Sequence, residues 1–553
     1  MKLLNLINQL QRLLPHSQPQ RVVKIDTKRK IVTKTVTGHP QSIDRVYIAN
    51  EATMLALLTD HAAQAEVHTP KVISFQQDAE HCKLSTAYEP GKKLAEMDAK
   101  SMKLALVKIM KFMAALEPAE DYSQLPLGTR TPLSFILNSC KLVVTSCFKP
   151  MKHRQLIWQL FASFIWQYMP SLFAQIKLGV THRDLDADNI MISQNSILIT
   201  DWENAVISDP LFDSAQLPRL YGQTLGYDWC TEFCLKPINS TSEIKRWQGL
   251  VLYGCLQSLV IDAPNSHMYA DALACANYFA PRRLTFYEIV SRSIFWFLGN
   301  IYYSLPFLWK KPTGGIVLCY HSVGFDQWRY TTHPQELSEH VRFLREHFNL
   351  TDLKTVVSTQ TGAALTFDDG YQNLLTHAAP TLETTNTPAC VFVLGSPQHA
   401  NRTELDNQLP LLTDTQIKKL HDGGWEIGHH THTHANLHSC SVAQLHTEIT
   451  ASRKLAAKRL GLPLRFFAYP KGAYSPQICE AVNQAGFEAA FTVDNKVMRS
   501  PNPLLLHRVA LERETSVPQL MAMLSPLGLL LTEWFWIALQ YKDSLVQKTK
   551  TYV

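Results

Sequence analysis

A chain of 553 residues is too long for one hydrophobic core, so two or three domains are expected. A hydrophobic fraction of 46% beside 18% charged residues excludes a disordered chain, and a net charge of +6 without a dense basic tract excludes a nucleic-acid binder. The eleven cysteines form no Cys-x-x-Cys pair, which fits a reducing compartment and small buried apolar residues better than a disulfide framework.

At the N-terminus Leu3, Leu6, Ile7 and Leu10 recur at helical spacing, while Asn5, Asn8 and Gln9 break the apolar run. This predicts a short amphipathic helix and not an export signal. No window reaches eighteen consecutive apolar residues, so no membrane span is expected. The aromatic stretches 294–309 and 527–539 come closest, and each reads either as a buried helix or as a helix at a membrane surface. Residues 21–26 and 30–36 read as two strands joined by a turn at 27–29, with Lys34 inside the second. Glu51 opens an apolar helix to residue 58. Strands are predicted at 69–75 and 81–87, a turn or hinge at 88–91, and helices at 103–116 and 154–178.

The next segment is Thr181-His182-Arg183-Asp184-Leu185-Asp186-Ala187-Asp188-Asn189-Ile190, followed by a hairpin into Ile199-Thr200-Asp201-Trp202-Glu203. It resembles the catalytic loop and metal-binding aspartate of the kinase-like fold, an α+β architecture. The resemblance implies that Asp184 is the catalytic aspartate, that Asn189 and Asp201 hold Mg²⁺ of Mg-ATP, and that Lys34, paired with Glu51, binds the nucleotide phosphates. Asp186 stands where protein kinases carry a lysine, and Asp-Trp-Glu where they carry Asp-Phe-Gly. Both changes, with Asp209-Pro210-Leu211-Phe212-Asp213, resemble the aminoglycoside, choline and lipopolysaccharide-core kinases. No glycine-rich loop lies between the first two strands. The resemblance spans residues 20–260.

Helices at 249–261 and 268–279 close this part, and a basic, aromatic helix follows. Two prolines and two glycines within 305–315 mark the junction. The expected domains are a kinase-like domain 1–290, an aromatic helix and linker 291–314, a second catalytic domain 315–515, and an apolar helix and tail 516–553.

In the second half strands and helices alternate at the spacing of parallel βα units, beginning with a buried strand that ends at His321. The strand Leu365-Thr366-Phe367 stops in Asp368-Asp369-Gly370, and Glu426-Ile427-Gly428-His429-His430-Thr431-His432-Thr433-His434 follows sixty residues on. Either aspartate could hold a cation while the other handles protons, and imidazoles with a carboxylate make an ordinary divalent-metal set. A turn plus a polar loop is the plain alternative.

These motifs, with Phe467-Ala468-Tyr469-Pro470-Lys471-Gly472 and Leu505-Leu506-His507, are similar to those of the polysaccharide deacetylases that share the NodB homology domain, a distorted (β/α) barrel. The match runs over 315–515. The resemblance implies that Asp368 is the general base and that Asp369, His430 and His434 bind a divalent metal, often zinc. It implies an oxyanion-holding backbone N–H beside Tyr469 and an acid at His507, with Arg508 as the alternative equivalent. His429 and His432 are expected beside the ligands or exposed, and His321 at the pocket floor or as an ordinary hydrogen-bonded histidine.

The expected function is a metal-dependent carbohydrate N-deacetylase fused to an ATP-dependent sugar or glycolipid kinase, working on an N-acetylated cell-envelope glycan or glycolipid. The alternative is a deacetylase with a non-catalytic kinase-like scaffold. Lack of an export signal and the need for nucleotide imply a cytoplasmic location, with peripheral contact to the inner face of the membrane left open.

Overall fold

The computed structural model of the chain describes residues 20–37, 42–62, 66–116, 130–148, 153–172, 174–193, 196–238, 240–279, 286–498, 502–513 and 515–532. The helix expected at 3–10 and the end of the 527–539 stretch lie outside them. The chain forms two compact units, Met1–Ile238 with Ser242–Pro281, and Asn239–Thr241 with Arg282–Val553.

In the first unit β1 (Gln20–Asp26) and β2 (Ile31–Thr37) form an antiparallel hairpin that sets Val23 opposite Lys34. Its turn needs no glycine, because the Asp26 carboxylate accepts the Lys28 and Arg29 amides at 3.0 and 2.9 Å. The helix Ile43–Ala62 is longer than the predicted 51–58 and packs Ile48 and Ala52 on Val36, Cys82 and Leu84. The strand expected at 69–75 is split by Pro70 into β3 (Val67–His68) and β4 (Val72–Gln77). With β5 (His81–Ala87) the first sheet has the order β1-β2-β5-β4. Next come β6 (Lys92–Lys93), β7 (Gly179–Thr181), β8 (Ile190–Ile192), β9 (Ile197–Ile199) and β10 (Val206–Ser208). They build a second small sheet, β3-β9-β8-β6, and the pair β10-β7. The helix predicted over 154–178 is Arg154–Tyr168 and ends where Pro170 withholds an N–H. A helix at Pro132–Phe148, not anticipated, packs beside it.

In the second unit the strands are β11 (Ile316–Tyr320), β12 (Ser322–Val323), β13 (Thr331–Thr332), β14 (Ala363–Phe367), β15 (Ala389–Val393), β16 (Glu426–His429), β17 (Phe466–Ala468), β18 (Ala489–Phe491) and β19 (Val509–Ala510). Seven of them make one parallel sheet in the order β18-β17-β16-β15-β14-β11-β19. Adjacent strand residues face opposite sides. Leu318, Leu365 and Val391 therefore pack outward on helices, whereas Val317, Ala364, Cys390, Phe392 and Phe491 fill the inside. Apolar residues on both faces are what a parallel sheet covered on both sides requires. The predicted strand 505–511 is divided between two partners. Pro503 and Leu506 hydrogen-bond with Ala490 and Thr492 at 2.8–2.9 Å, and β19 then joins β11. That one segment links the two ends of the sheet and completes a distorted barrel.

The aromatic helix Phe286–Ser304 packs on the helix Val517–Met523, also in the second unit. Gly299 permits the contact, since a Cβ there would stand 2.1 Å from the Pro518 carbonyl oxygen. Phe295, Leu298 and Tyr302 face the core, while Phe297 and Tyr303 are exposed. Among the described residues no helix is long and apolar enough to cross a membrane.

Candidate active sites

β14 runs buried to Phe367 and delivers Asp368 and Asp369 to one end of the barrel. Asp369 takes φ +67° and Gly370 φ +72°, a sharp reversal that turns two consecutive carboxylates toward a common space. Gly370 leaves room for Val393, which a Cβ would approach to 3.1 Å. His430 follows β16 directly, and His434 closes the next loop at φ +62°.

Asp369 Oδ1 lies 3.3 Å from His430 Nε2 and 3.4 Å from His434 Nε2, and all three residues are buried. Tetrahedral coordination with bonds of about 2.1 Å puts ligand atoms about 3.4 Å apart, so the spacing fits a divalent ion such as zinc. His430 Nδ1 donates to the Ala468 carbonyl at 2.8 Å, which leaves Nε2 as the lone-pair atom facing Asp369. Burial depresses the His434 imidazole to about 4, keeping it neutral as a ligand must be. Burial alone would raise the Asp369 carboxyl, but the adjoining His430, His434 and His321 rings hold it below the usual carboxylate range.

Asp368 has a different environment. The fully buried Arg508 guanidinium donates to both of its oxygens, each at 2.7 Å, and also to Thr366 Oγ1 at 3.0 Å. Burial pushes the Asp368 carboxyl up, and Arg508 more than reverses this, so the group is ionised. Arg508 is thus the partner of Asp368, not a proton donor; a guanidinium stays charged. Its neighbour His507 does not join this pair and places Nδ1 2.8 Å from Asp494 Oδ2, which also accepts Thr492 Oγ1 at 2.7 Å. Sequence reasoning did not single out Asp494.

Tyr469 sits at the end of β17 with both polar groups engaged. Its N–H donates to the Phe491 carbonyl at 3.0 Å and its hydroxyl to the Leu504 carbonyl at 3.0 Å. Tyr469's own N–H is therefore taken up by the β17–β18 pairing. His321 is stacked on Tyr330, with ring centroids 4.8 Å apart and Nδ1 buried without a partner. Trp328 and Tyr371 extend this aromatic wall, their rings 5.3 Å apart. His429 is fully buried rather than exposed, stacks near Phe487, and is depressed by burial to about 3. His432 bonds Ser452 through its ring. Glu448, another residue missed in the sequence, accepts the His432 and Thr433 amides and the Thr433 hydroxyl at 2.8–3.0 Å, fixing the loop that presents His434.

In the first unit Lys34 Nζ donates to Glu51 Oε2 at 2.7 Å and to Asp201 Oδ1 at 2.5 Å. Glu203 lies 3.8 Å from the same ammonium and is clamped by Arg21 at 2.6 and 3.0 Å. Asn189 Nδ2 reaches the Asp184 carbonyl and Oδ2 at 3.0 and 3.2 Å. His182 orders the loop: Nε2 donates to the Thr200 carbonyl at 3.0 Å, and Nδ1 accepts the Asp184 amide at 3.2 Å. Asp213 accepts the His182 and Arg183 amides at 2.8 Å each. Burial and the charges of Asp201 and Asp186 raise the Asp184 carboxyl to about 6. The structure thus gathers Lys34, Glu51 and Asp201 into one cluster, and Asp184 and Asn189 into a second. Arg21 and Glu203 are additions that only the fold reveals.

Residues 356–490 match the family model described as Polysaccharide deacetylase, and residues 11–236 the one described as Phosphotransferase enzyme family. YxkH of Bacillus subtilis (strain 168) is 25% identical over 211 residues, covering 36% of this chain and 72% of its own length. The chitooligosaccharide deacetylase of Bradyrhizobium sp. (strain ANU 289) is 32% identical over 149 residues, 26% of this chain and 62% of its own. The chain therefore spans less than two thirds of that second relative. Among solved structures, a thermostable mutant of the aminoglycoside phosphotransferase APH(4)-Ia is 15% identical, with 48% of this chain and 94% of that one covered at a TM-score of 0.35.

Proposed function

With a polysaccharide-deacetylase fold in its C-terminal half and a phosphotransferase-type kinase fold in its N-terminal half as the premise, we propose that this enzyme is a metal-dependent carbohydrate N-deacetylase joined to an ATP-dependent sugar or glycolipid kinase. Its setting would be the synthesis or modification of cell-envelope glycans. The observation that carries the hydrolase reading is the buried Asp369–His430–His434 triad beside an aspartate held ionised by Arg508.

Asp369, His430 and His434 would hold the divalent ion, zinc by the fit of the donor set, and the ion would supply Lewis acidity toward water and the amide carbonyl. Asp368, ionised and oriented by two guanidinium bonds, takes the proton of the attacking water. His507, oriented through Nδ1 by Asp494, gives a proton to the departing amine. The half-buried rings of Trp328 and Tyr330 offer an apolar wall for a sugar ring. The chitooligosaccharide relative supports an N-acetylated glycan as the substrate class.

In the first unit Lys34, paired with Glu51, would engage the nucleotide phosphates, Asn189 and Asp201 Mg²⁺, and Asp184 the acceptor hydroxyl. A second reading, a non-catalytic kinase-like scaffold, is favoured by the β1–β2 turn, which is built from Lys28, Arg29 and Lys30 without a glycine. A need for nucleotide supports a cytoplasmic setting. Contact with the inner membrane face is supported by exposed Phe297, Tyr303 and Phe307 close in sequence to Lys310 and Lys311. The test is incubation of the pure chain with fractionated envelope glycolipids, with and without ATP, read by mass. Loss of acetyl and gain of phosphate are the expected and independent signals; neither one appearing with any fraction would overturn the proposal.

A further inference from the structure

A cavity of about 350 Å³ opens beside Asp184 in the first unit. That volume is at the small end of the range for ligand pockets, about 300–1,000 Å³, and suits one sugar ring with a substituent rather than a polymer. Asp184 lines it, whereas Lys34, Glu51 and Asp201 do not, so among the described residues it borders the catalytic aspartate away from the phosphate-binding lysine.

Its charge is unusual for a site that would accept an amino sugar. Arg130, Arg183 and Arg219 line it, against the two carboxylates Asp184 and Asp262. Arg219 is 7% exposed, yet its guanidinium bonds only the Gln216 amide oxygen at 3.3 Å and the Met268 sulfur at 4.0 Å. Arg183 lies over the Phe212 ring at 4.9 Å, and its Nε is buried without a partner. The nearby Asp213 carboxylate is committed to the backbone amides of His182 and Arg183. Three cations against two carboxylates leave the lining net positive, and guanidinium donors match phosphate and carboxylate oxygens in pairs. Ser134 and Gln257 line the same cavity and can hydrogen-bond hydroxyl groups.

We propose that this cavity binds the acceptor of the phosphotransfer reaction and that the acceptor is a small polyhydroxylated anion, a sugar bearing a phosphate or carboxylate that Arg183 and Arg219 hold while a hydroxyl faces Asp184. The proposal rests on the kinase reading above for the word acceptor, and on the cavity alone for the anion. A cationic amino sugar would meet three guanidinium groups against two carboxylates and is disfavoured.

The experiment is calorimetry on the full chain, titrated with glucose 1-phosphate, glucuronate, glucose and glucosamine, each with and without Mg²⁺ and a non-hydrolysable ATP analogue. At least one anion should bind about tenfold or more tightly than glucose, with glucosamine weakest, and the two anions separate phosphate from carboxylate recognition. Arg183→Gln and Arg219→Gln should each weaken the preferred anion about 10- to 100-fold, as expected for a lost charge-assisted bond, and leave glucose unchanged. Arg183→Lys should recover only part of the loss, because the paired geometry is missing. Circular dichroism and the affinity for the nucleotide analogue report whether each variant is folded. No binding of either anion, no preference over glucose, or anion affinity unchanged in folded variants would overturn the proposal. Anion preference without nucleotide binding would leave the cavity assignment standing and remove the kinase reading; nucleotide binding without anion preference would do the reverse.

Discussion

Asp368 and Asp369 are neighbours with the same side chain, and the fold gives them opposite partners. Asp369 faces two imidazoles at 3.3 and 3.4 Å, and Asp368 a guanidinium at 2.7 Å. If the proposed division holds, elemental analysis of the pure protein should find one divalent ion per chain, lost in His430→Ala and His434→Ala. Unchanged metal in both variants would remove the ligand assignment. Asp368→Asn should keep the metal and lose about 10²- to 10⁴-fold in acetate release, the usual worth of a positioned base. Asp369→Asn should instead lose metal affinity first, with activity partly restored by excess metal. Near-normal turnover in Asp368→Asn would contradict these roles.

At the scale of elements, the C-terminal chemistry is divided between parts of the barrel that can be perturbed separately. Asp369, His430 and His434 come from the end of β14 and the loop after β16. His507 and Arg508 come from the segment that crosses from β18 to β11. Leu506→Pro would delete the N–H that bonds the Ala490 carbonyl and loosen that crossing. Acetate release should fall at least about a hundredfold, since Asp368 loses its clamp and the acid its position. Metal content should stay near one ion per chain. A variant that lost metal along with activity would show that the segment supports the whole barrel and not one side of the site.

Over the whole molecule, each unit has its own buried core, so the two chemistries should fail independently. Asp201→Ala should abolish Mg²⁺-dependent nucleotide binding, measured by calorimetry, and leave acetate release unchanged. A parallel fall in deacetylation would show that the units are coupled. The first unit should also be acid-sensitive through His182. Burial depresses this imidazole from 6.5 to about 4, so as pH falls the unfolded chain takes the proton first. Stability present above pH 6.5 is then lost toward pH 4, about 1.4 kcal/mol per pH unit and about 2 kcal/mol between 6.5 and 5. Asp213, raised to about 6 by burial, has the opposite sign and gains stability for the folded state as pH falls through 6. The measurement is therefore the difference between wild type and His182→Gln in thermal melts at pH 7 and 5. An equal loss in both would exclude His182 as the source.

Local pattern determined much of this protein. Strand–helix alternation announced a parallel βα architecture, and an apolar strand ending in two aspartates with histidines four apart marked the residues that converge as a metal triad. The run from His182 to Asn189, with the later Asp201, likewise marked the second site. Even the stop at Tyr168 had its signal in Pro170, although the helical pattern beyond it was misleading. What tertiary structure alone decided are the pairings across long stretches of chain. Arg508 meets Asp368 from 140 residues away, so the choice between His507 and Arg508 as acid could not be read along the chain. Glu203 meets Arg21 across 182 residues. Asp494, Glu448 and Arg219 belong to no local motif. Their roles follow from which element happens to pack opposite them, and only the closed core sets that.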